Sequence, residues 1–211
     1  MRSATRIAAM TLGLLAGVAG LEHGYFEILQ GNVRPQGLLI VSIGPPCVPQ
    51  ESWNGCEPAL TILPSFLISG ILTVVIALAI LGWSAAGMSH RRGGVVLLGL
   101  SVALLLSGGG IFPPLIGAVG GVAGLSIHTG RPGKPPGGAL RRAAKLWPWP
   151  LVVLAVWSLA QFPIGYFFNH FLQSIMGLGL LLILVTLAGS IYTAYARDTC
   201  VAVERSSNVV L

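Results

Sequence analysis

Apolar positions along this chain fall into long blocks, separated by short polar or Gly/Pro-rich breaks. The blocks cover about 7–30, 60–83, 94–109, 111–128, 148–168 and 171–195. Most are close to the roughly 17–25 residues that a bilayer core requires of a helix. The pattern predicts an all-α fold: a polytopic transmembrane helix bundle of about six spans, forming one integral membrane domain over residues 1–211.

The stretch 94–128 decides the topology, because one apolar run covers both the third and the fourth block. Read as a single span, it sends "TGRPGKPPGGALRRAAK", with five basic residues, to the outside. Broken at "SGGGIFPPLIG", it becomes a hairpin or a re-entrant pair and returns that segment to the inside. Ser107, Gly108, Gly109, Gly110, Pro113 and Pro114 are residue types that interrupt a helix, which favours the break.

Composition agrees with the pattern. Only 9% of residues are charged and 54% are hydrophobic, with a mean hydropathy of +0.83, whereas a soluble domain carries about 25% charged residues. The net charge of +6 comes from 12 Lys and Arg against 6 Asp and Glu. These basic residues are not gathered into a nucleic-acid-binding patch. Arg2, Arg6, Arg91, Arg92, Arg131, Lys134, Arg141, Arg142, Lys145, Arg197 and Arg205 lie between the apolar blocks, and Arg34 alone stands apart. Cytoplasmic loops collect Lys and Arg. With six spans both termini are cytoplasmic, and 11 of the 12 basic residues face that side. Trp83, Trp147 and Trp149 then fall at the cytoplasmic boundary as interface anchors. The expected partners are the lipid bilayer of a plasma (inner) membrane and other membrane subunits, with no nucleic acid.

The segments between spans carry fewer signals. The loop 31–59 faces outward and contains Cys47 and Cys56 around eight residues rich in turn formers, and a structural disulfide is expected there. Residues 129–146 read as a basic Pro/Gly cytoplasmic linker, and 199–211 as a flexible cytoplasmic tail holding a reduced Cys200.

The first block ends in "GLEHGYFEIL" at 20–29. An N-terminal apolar run followed by small residues resembles a secretory signal peptide, which would make these acids the start of the mature chain. Helical phase argues for one uncleaved helix instead. Ile7, Met10, Leu14, Val18, Leu21, Tyr25 and Ile28 recur at three- and four-residue spacing. The opposite side carries Ala8, Ala9, Ala16, Ala19 and Gly20, then Glu22, His23, Glu27 and Gln30, with Leu12, Leu15 and Phe26 as exceptions. Small residues let neighbouring helices approach, so the four polar residues continue a protein-facing stripe into the outer part of the span. Ionisable groups at such depth are costly and are candidate sites.

Other polar residues are biased to the same outer side: Gln161 before Pro163, Asn169 and His170 in the turn before the last span, Gln173 and Ser174 after it, and Pro64 and Ser65. Together, Glu22, His23, Glu27, Gln30, Gln161, Asn169 and His170 outline an outward-facing pocket for a proton, cation or small polar solute.

Cofactor chemistry has weaker signals, and none is predicted. His23 and Glu27 are four apart, a spacing that can aim two ligands at one metal, with Glu22 and His170 able to complete an N/O set. Haem would need paired axial histidines from His23 and His170 on the outer side or His90 and His128 on the inner side. No proton relay runs the full depth, since the ionisable groups stop in the outer half. "GVAGL" at 17–21 recurs at 121–125, a repeat that chance supplies readily in such a composition. No serine or cysteine nucleophile has a placed base, so the reading leans away from an enzyme. It points to transport or binding through the outer pocket, or to a non-catalytic accessory subunit of a membrane complex in which the same residues hold helices together.

Overall fold

The computed structural model describes residues 3–41, 57–128 and 136–209. The fold is all-α with one small sheet. Helices α1 (Ala4–Leu29), α2 (Phe66–Ala86), α3 (Gly93–Leu106), α4 (Phe112–Leu125), α5 (Gly138–Leu146), α6 (Trp149–Phe167), α7 (Asn169–Ser174) and α8 (Met176–Val209) follow in order. Strands β1 (Leu39–Val41) and β2 (Pro58–Leu60) pair antiparallel between α1 and α2, with Ile40 opposite Ala59.

Four helical stretches are long and apolar enough to cross a membrane: Ala4–Leu29, Phe66–Ser89, Gly138–Phe167 and Met176–Arg205. Many large apolar side chains on them face outward, including Ile71, Val75 and Leu78 on α2 and Leu181, Leu184 and Val185 on α8. That is the arrangement expected where the solvent is hydrocarbon. Helices α3 and α4 have 14 residues each. At 1.5 Å per residue each is about 21 Å long, short of a ~30 Å hydrocarbon core.

Helix α1 is the centre of the bundle. On one side Ala9 joins Ala77, Ile80, Met88, Leu97, Leu104 and Ala123 from α2, α3, α4 and the turn after α2. On the other, Ala4, Ala8, Leu12 and Leu15 meet Ile116, Leu151, Leu154, Ile183 and Leu187. The helix runs unbroken through residues 16–20, where a signal peptide would end. Its small-residue side is the buried one, and Leu12 and Leu15 are buried with it, whereas Ile7 and Tyr25 are exposed. Leu12 and Leu15 thus break the size pattern because they fill the core between α1 and the α6/α8 pair.

Close contacts fix the helix directions. Gly24 lies against Gly70 and Gly13 against Ser84, so α1 and α2 are antiparallel. Leu97 and Leu104 lie against Gly13 and Gly20, which makes α3 parallel to α1, and Gly94 against Gly121 and Gly124 folds α4 back along α3. Trp157 meets Gly179 and Pro150 meets Gly189, so α6 and α8 are antiparallel. The Asp198 carboxylate accepts hydrogen bonds from the amides of Ala4 (2.8 Å) and Thr5 (2.9 Å), joining α8 to the first turn of α1. This end is called the terminal end below; the opposite end, with β1 and β2, is the loop end.

Several boundaries differ from the sequence reading. The second apolar block begins at 60, but α2 starts at Phe66, because Pro58–Leu60 pairs with β1 and Thr61 bridges to Ser107. Helix α8 runs on to Val209 through most of the stretch expected as a loose tail. Its support is visible: Ala143 and Ala144 of α5 pack on Ala196, with Leu140 and Cys200 alongside. The linker 129–146 therefore contains a helix at its end. Cys200 is a free, half-buried thiol. The Cys47–Cys56 pair lies outside the described residues.

Candidate functional site: a buried polar cluster at the loop end

The cluster forms where the α3–α4 connection meets the outer turns of α1. The apolar run breaks at Ser107, as glycines and prolines predict. Gly108 and Gly110 have φ of +109° and +76°, the left-handed region that favours glycine. Pro113 and Pro114 enter the first turn of α4, where a missing N–H does no harm.

Each of these two glycines also faces an ionisable side chain. A Cβ on Gly108 would collide with the Glu27 carboxyl oxygens, and one on Gly110 would lie 2.5 Å from His23 Nε2. His23 and Glu27, one turn apart on α1, therefore lean on the same five-residue break.

The broken end of α3 finds partners on α2 and in the segment before it. The Leu106 carbonyl accepts from Ile62 N (3.1 Å). The Ser107 carbonyl accepts from the hydroxyls of Ser69 (2.5 Å) and Thr73 (2.7 Å), one turn apart on α2. Ser107 Oγ donates to the Leu104 carbonyl (3.1 Å), and Leu63 N donates to Thr61 Oγ1 (3.2 Å). Thr61 Oγ1 and Ser69 Oγ are 2.8 Å apart. Since Ser69 gives its proton to Ser107, Thr61 is the donor in that pair. Carbonyls at a helix end need such partners when water is absent.

Glu27 is the exception. It is 0% exposed, and neither carboxyl oxygen has a hydrogen-bond partner among the described residues. Ser69 stands beside it, but the Ser69 proton is committed to the Ser107 carbonyl.

One turn further into the bundle along α1, His23 Nε2 lies 3.4 Å from Glu57 Oε2, with the imidazole buried and the carboxylate partly exposed. Glu22 is half-buried within electrostatic range of both His23 and Glu57. Gln30 Nε2 donates to the Val41 carbonyl (3.4 Å) and ties the end of α1 to β1. Glu57, His23, Glu22 and buried Glu27 thus group along the last two turns of α1, with Glu27 nearest the loop end of the helix.

The remaining expected site residues stand elsewhere. Gln161 is on α6 and half-buried; Asn169 and His170 are on α7, half-buried and exposed respectively. Around them Tyr166, Phe167, Phe168 and Phe171 are strongly exposed, as in an interfacial aromatic belt. Among the described residues no three His, Cys, Asp or Glu side chains are grouped to hold a metal. His90 stacks on Trp83 at 6.1 Å, and Trp83 Nε1 donates to the Gly93 carbonyl (3.0 Å), so this tryptophan also closes the turn into α3.

Sequence reading did not single out Glu57, Thr61, Ser69, Thr73, Ser107 as a polar group, or Asp198. Ser69 and Thr73 stand four positions apart in an otherwise apolar span, the one signal available beforehand. Glu57 and Asp198 gave none, because their partners are distant in sequence. No protein-family model, no curated protein and no solved structure is detectably similar to this chain.

Proposed function

We propose that this is a multi-pass plasma-membrane protein, with both ends cytoplasmic, that binds and passes a small cation or proton through the loop-end cluster. The sidedness draws on charge. Exposed Arg91, Arg92, Arg141, Arg142, Lys145, Arg197 and Arg205 all belong to the terminal end, the side that the positive-inside rule makes cytoplasmic. In this reading α3 and α4 complete six crossing elements as a hairpin whose tip reaches the level of Glu27.

One observation carries the function: the Glu27 carboxyl is wholly buried, and neither of its oxygens has a hydrogen-bond partner among the described residues. A buried polar group without a partner costs about 1–3 kcal/mol. Such a carboxyl suits a proton or cation, and Glu57, His23 and Glu22 continue the ionisable group from it along α1. The competing reading is an accessory subunit knitted together by polar contacts, and it draws on the satisfied hydroxyls around Ser107.

Reconstitution into liposomes carrying a trapped pH- or sodium-sensitive dye separates the two. Wild type should give ion flux. Glu27→Gln should abolish it while keeping the wild-type elution profile in detergent. No flux from wild type, or undiminished flux from the variant, favours the accessory subunit.

A further inference from the structure

The oxygens around Glu27 are more specific than a proton site requires. Thr61, Ser69, Thr73 and Ser107 are each at most 2% exposed. Their side-chain oxygens and the Ser107 carbonyl form a continuous chain of contacts between 2.5 and 3.0 Å. Ser69, within that chain between Thr61 and Ser107, stands beside Glu27. Gly108 has no side chain, and the carboxyl fills that space.

Resting on the ion-binding reading above, we propose that this is a sodium site. Glu27 supplies the charge, and the Ser69 and Thr61 hydroxyls with the Ser107 carbonyl supply neutral oxygen ligands.

Three features favour a small monovalent cation. The ligands in this group are oxygens only, which suits hard cations and not soft transition metals. The group lies at the C-terminal end of interrupted α3, where the helix dipole and unwound carbonyls are negative, the arrangement by which broken membrane helices coordinate sodium. Finally, one carboxylate neutralises one positive charge. A divalent ion would leave a net charge in a buried site, and of the other two carboxylates in the cluster Glu57 is engaged by His23, with Glu22 in electrostatic range of that pair. Rotation of the Ser69 and Thr61 hydroxyls turns their lone pairs towards the ion and their protons away, so no additional residue is required.

The test is binding of radioactive sodium to the detergent-purified full chain, alongside thermal unfolding in sodium, potassium or choline chloride. About one sodium should bind per chain, and sodium should raise the melting temperature more than potassium or choline does. Glu27→Gln should eliminate binding. Ser69→Ala and Thr61→Val should each weaken it by roughly tenfold, which keeps the proposal testable if Glu27→Gln does not fold.

Absence of sodium binding in wild type overturns the sodium site, and if proton flux persists, the ion-binding reading survives it. Binding that Ser69→Ala and Thr61→Val leave unchanged places sodium elsewhere and also overturns the proposal. Binding that follows the expected pattern in a protein without flux confirms the site and removes only transport.

Discussion

At the terminal end of α1, Asp198 accepts two backbone amides, from Ala4 and Thr5. At the loop end of the same helix, Glu27 accepts none among the described residues, although it is the more deeply buried of the two. The helix dipole sharpens the contrast. An anion is favoured at the N-terminus, where Asp198 sits, and disfavoured near the C-terminus, where Glu27 sits. Asp198 is placed where folding gains from it. Glu27 is placed where folding does not, so its presence asks for another explanation, and ion binding supplies one.

The largest expected effect comes from filling the space beside Glu27. Gly108→Ala adds a methyl group where the carboxyl now lies, at a φ that side chains avoid. Overpacking and backbone strain together should destabilise by about 3 kcal/mol. Equilibrium unfolding in mixed micelles measures this. A loss below about 1 kcal/mol would mean that the α3–α4 break does not clasp Glu27 as described.

Next is Asp198→Ala. Two charge-assisted hydrogen bonds at a helix N-terminus should be worth about 2 kcal/mol. Ser3 Oγ already accepts the Arg6 amide (3.2 Å), so one cap survives the substitution. The loss should appear as faster hydrogen exchange in the first turn of α1, with the loop end unaffected. Loosening at both ends would show that the two regions are not independent, and the comparison would fail.

These two regions also differ in how far sequence could foresee them. The protein-facing side of α1 and the interruption at 107–111 were legible, because both are local: helical phase marks the first, and glycine and proline mark the second. The convergence of His23 and Glu27 on Gly110 and Gly108 was not, since nothing in a one-dimensional pattern says which loop meets which helix. Asp198 lies nearly two hundred residues from the amides it caps, and its surroundings look like an ordinary tail. Conversely, Gln161, Asn169 and His170 were grouped with Glu27 because they share its depth. Depth is a single coordinate, and the fold places them on α6 and α7, around the bundle from α2 and α3.

A smaller effect is expected within the hydroxyl network. Thr73→Val removes one of the two donors to the Ser107 carbonyl but keeps the side chain's shape, leaving Ser69 as the remaining donor. The loss should be about 1 kcal/mol. A loss several times larger would show that Thr73 supports the break alone.

The smallest shift, and the one of opposite sign, belongs to Glu27→Met in sodium-free buffer. Methionine fills a similar volume with a flexible apolar chain, and it removes a carboxyl that has no hydrogen-bond partner among the described residues. Replacing an unsatisfied buried polar group by an apolar one is neutral to stabilising, so unfolding should change by no more than about 1 kcal/mol, on the stabilised side. A structural carboxyl would behave like Asp198 and lose stability on truncation. A carboxyl held in readiness for an ion loses none, and the sodium-dependent rise in melting temperature disappears with it. A clear loss of stability in Glu27→Met would make Glu27 a second structural anchor, and the difference between the two ends of α1 would reduce to one of partner identity.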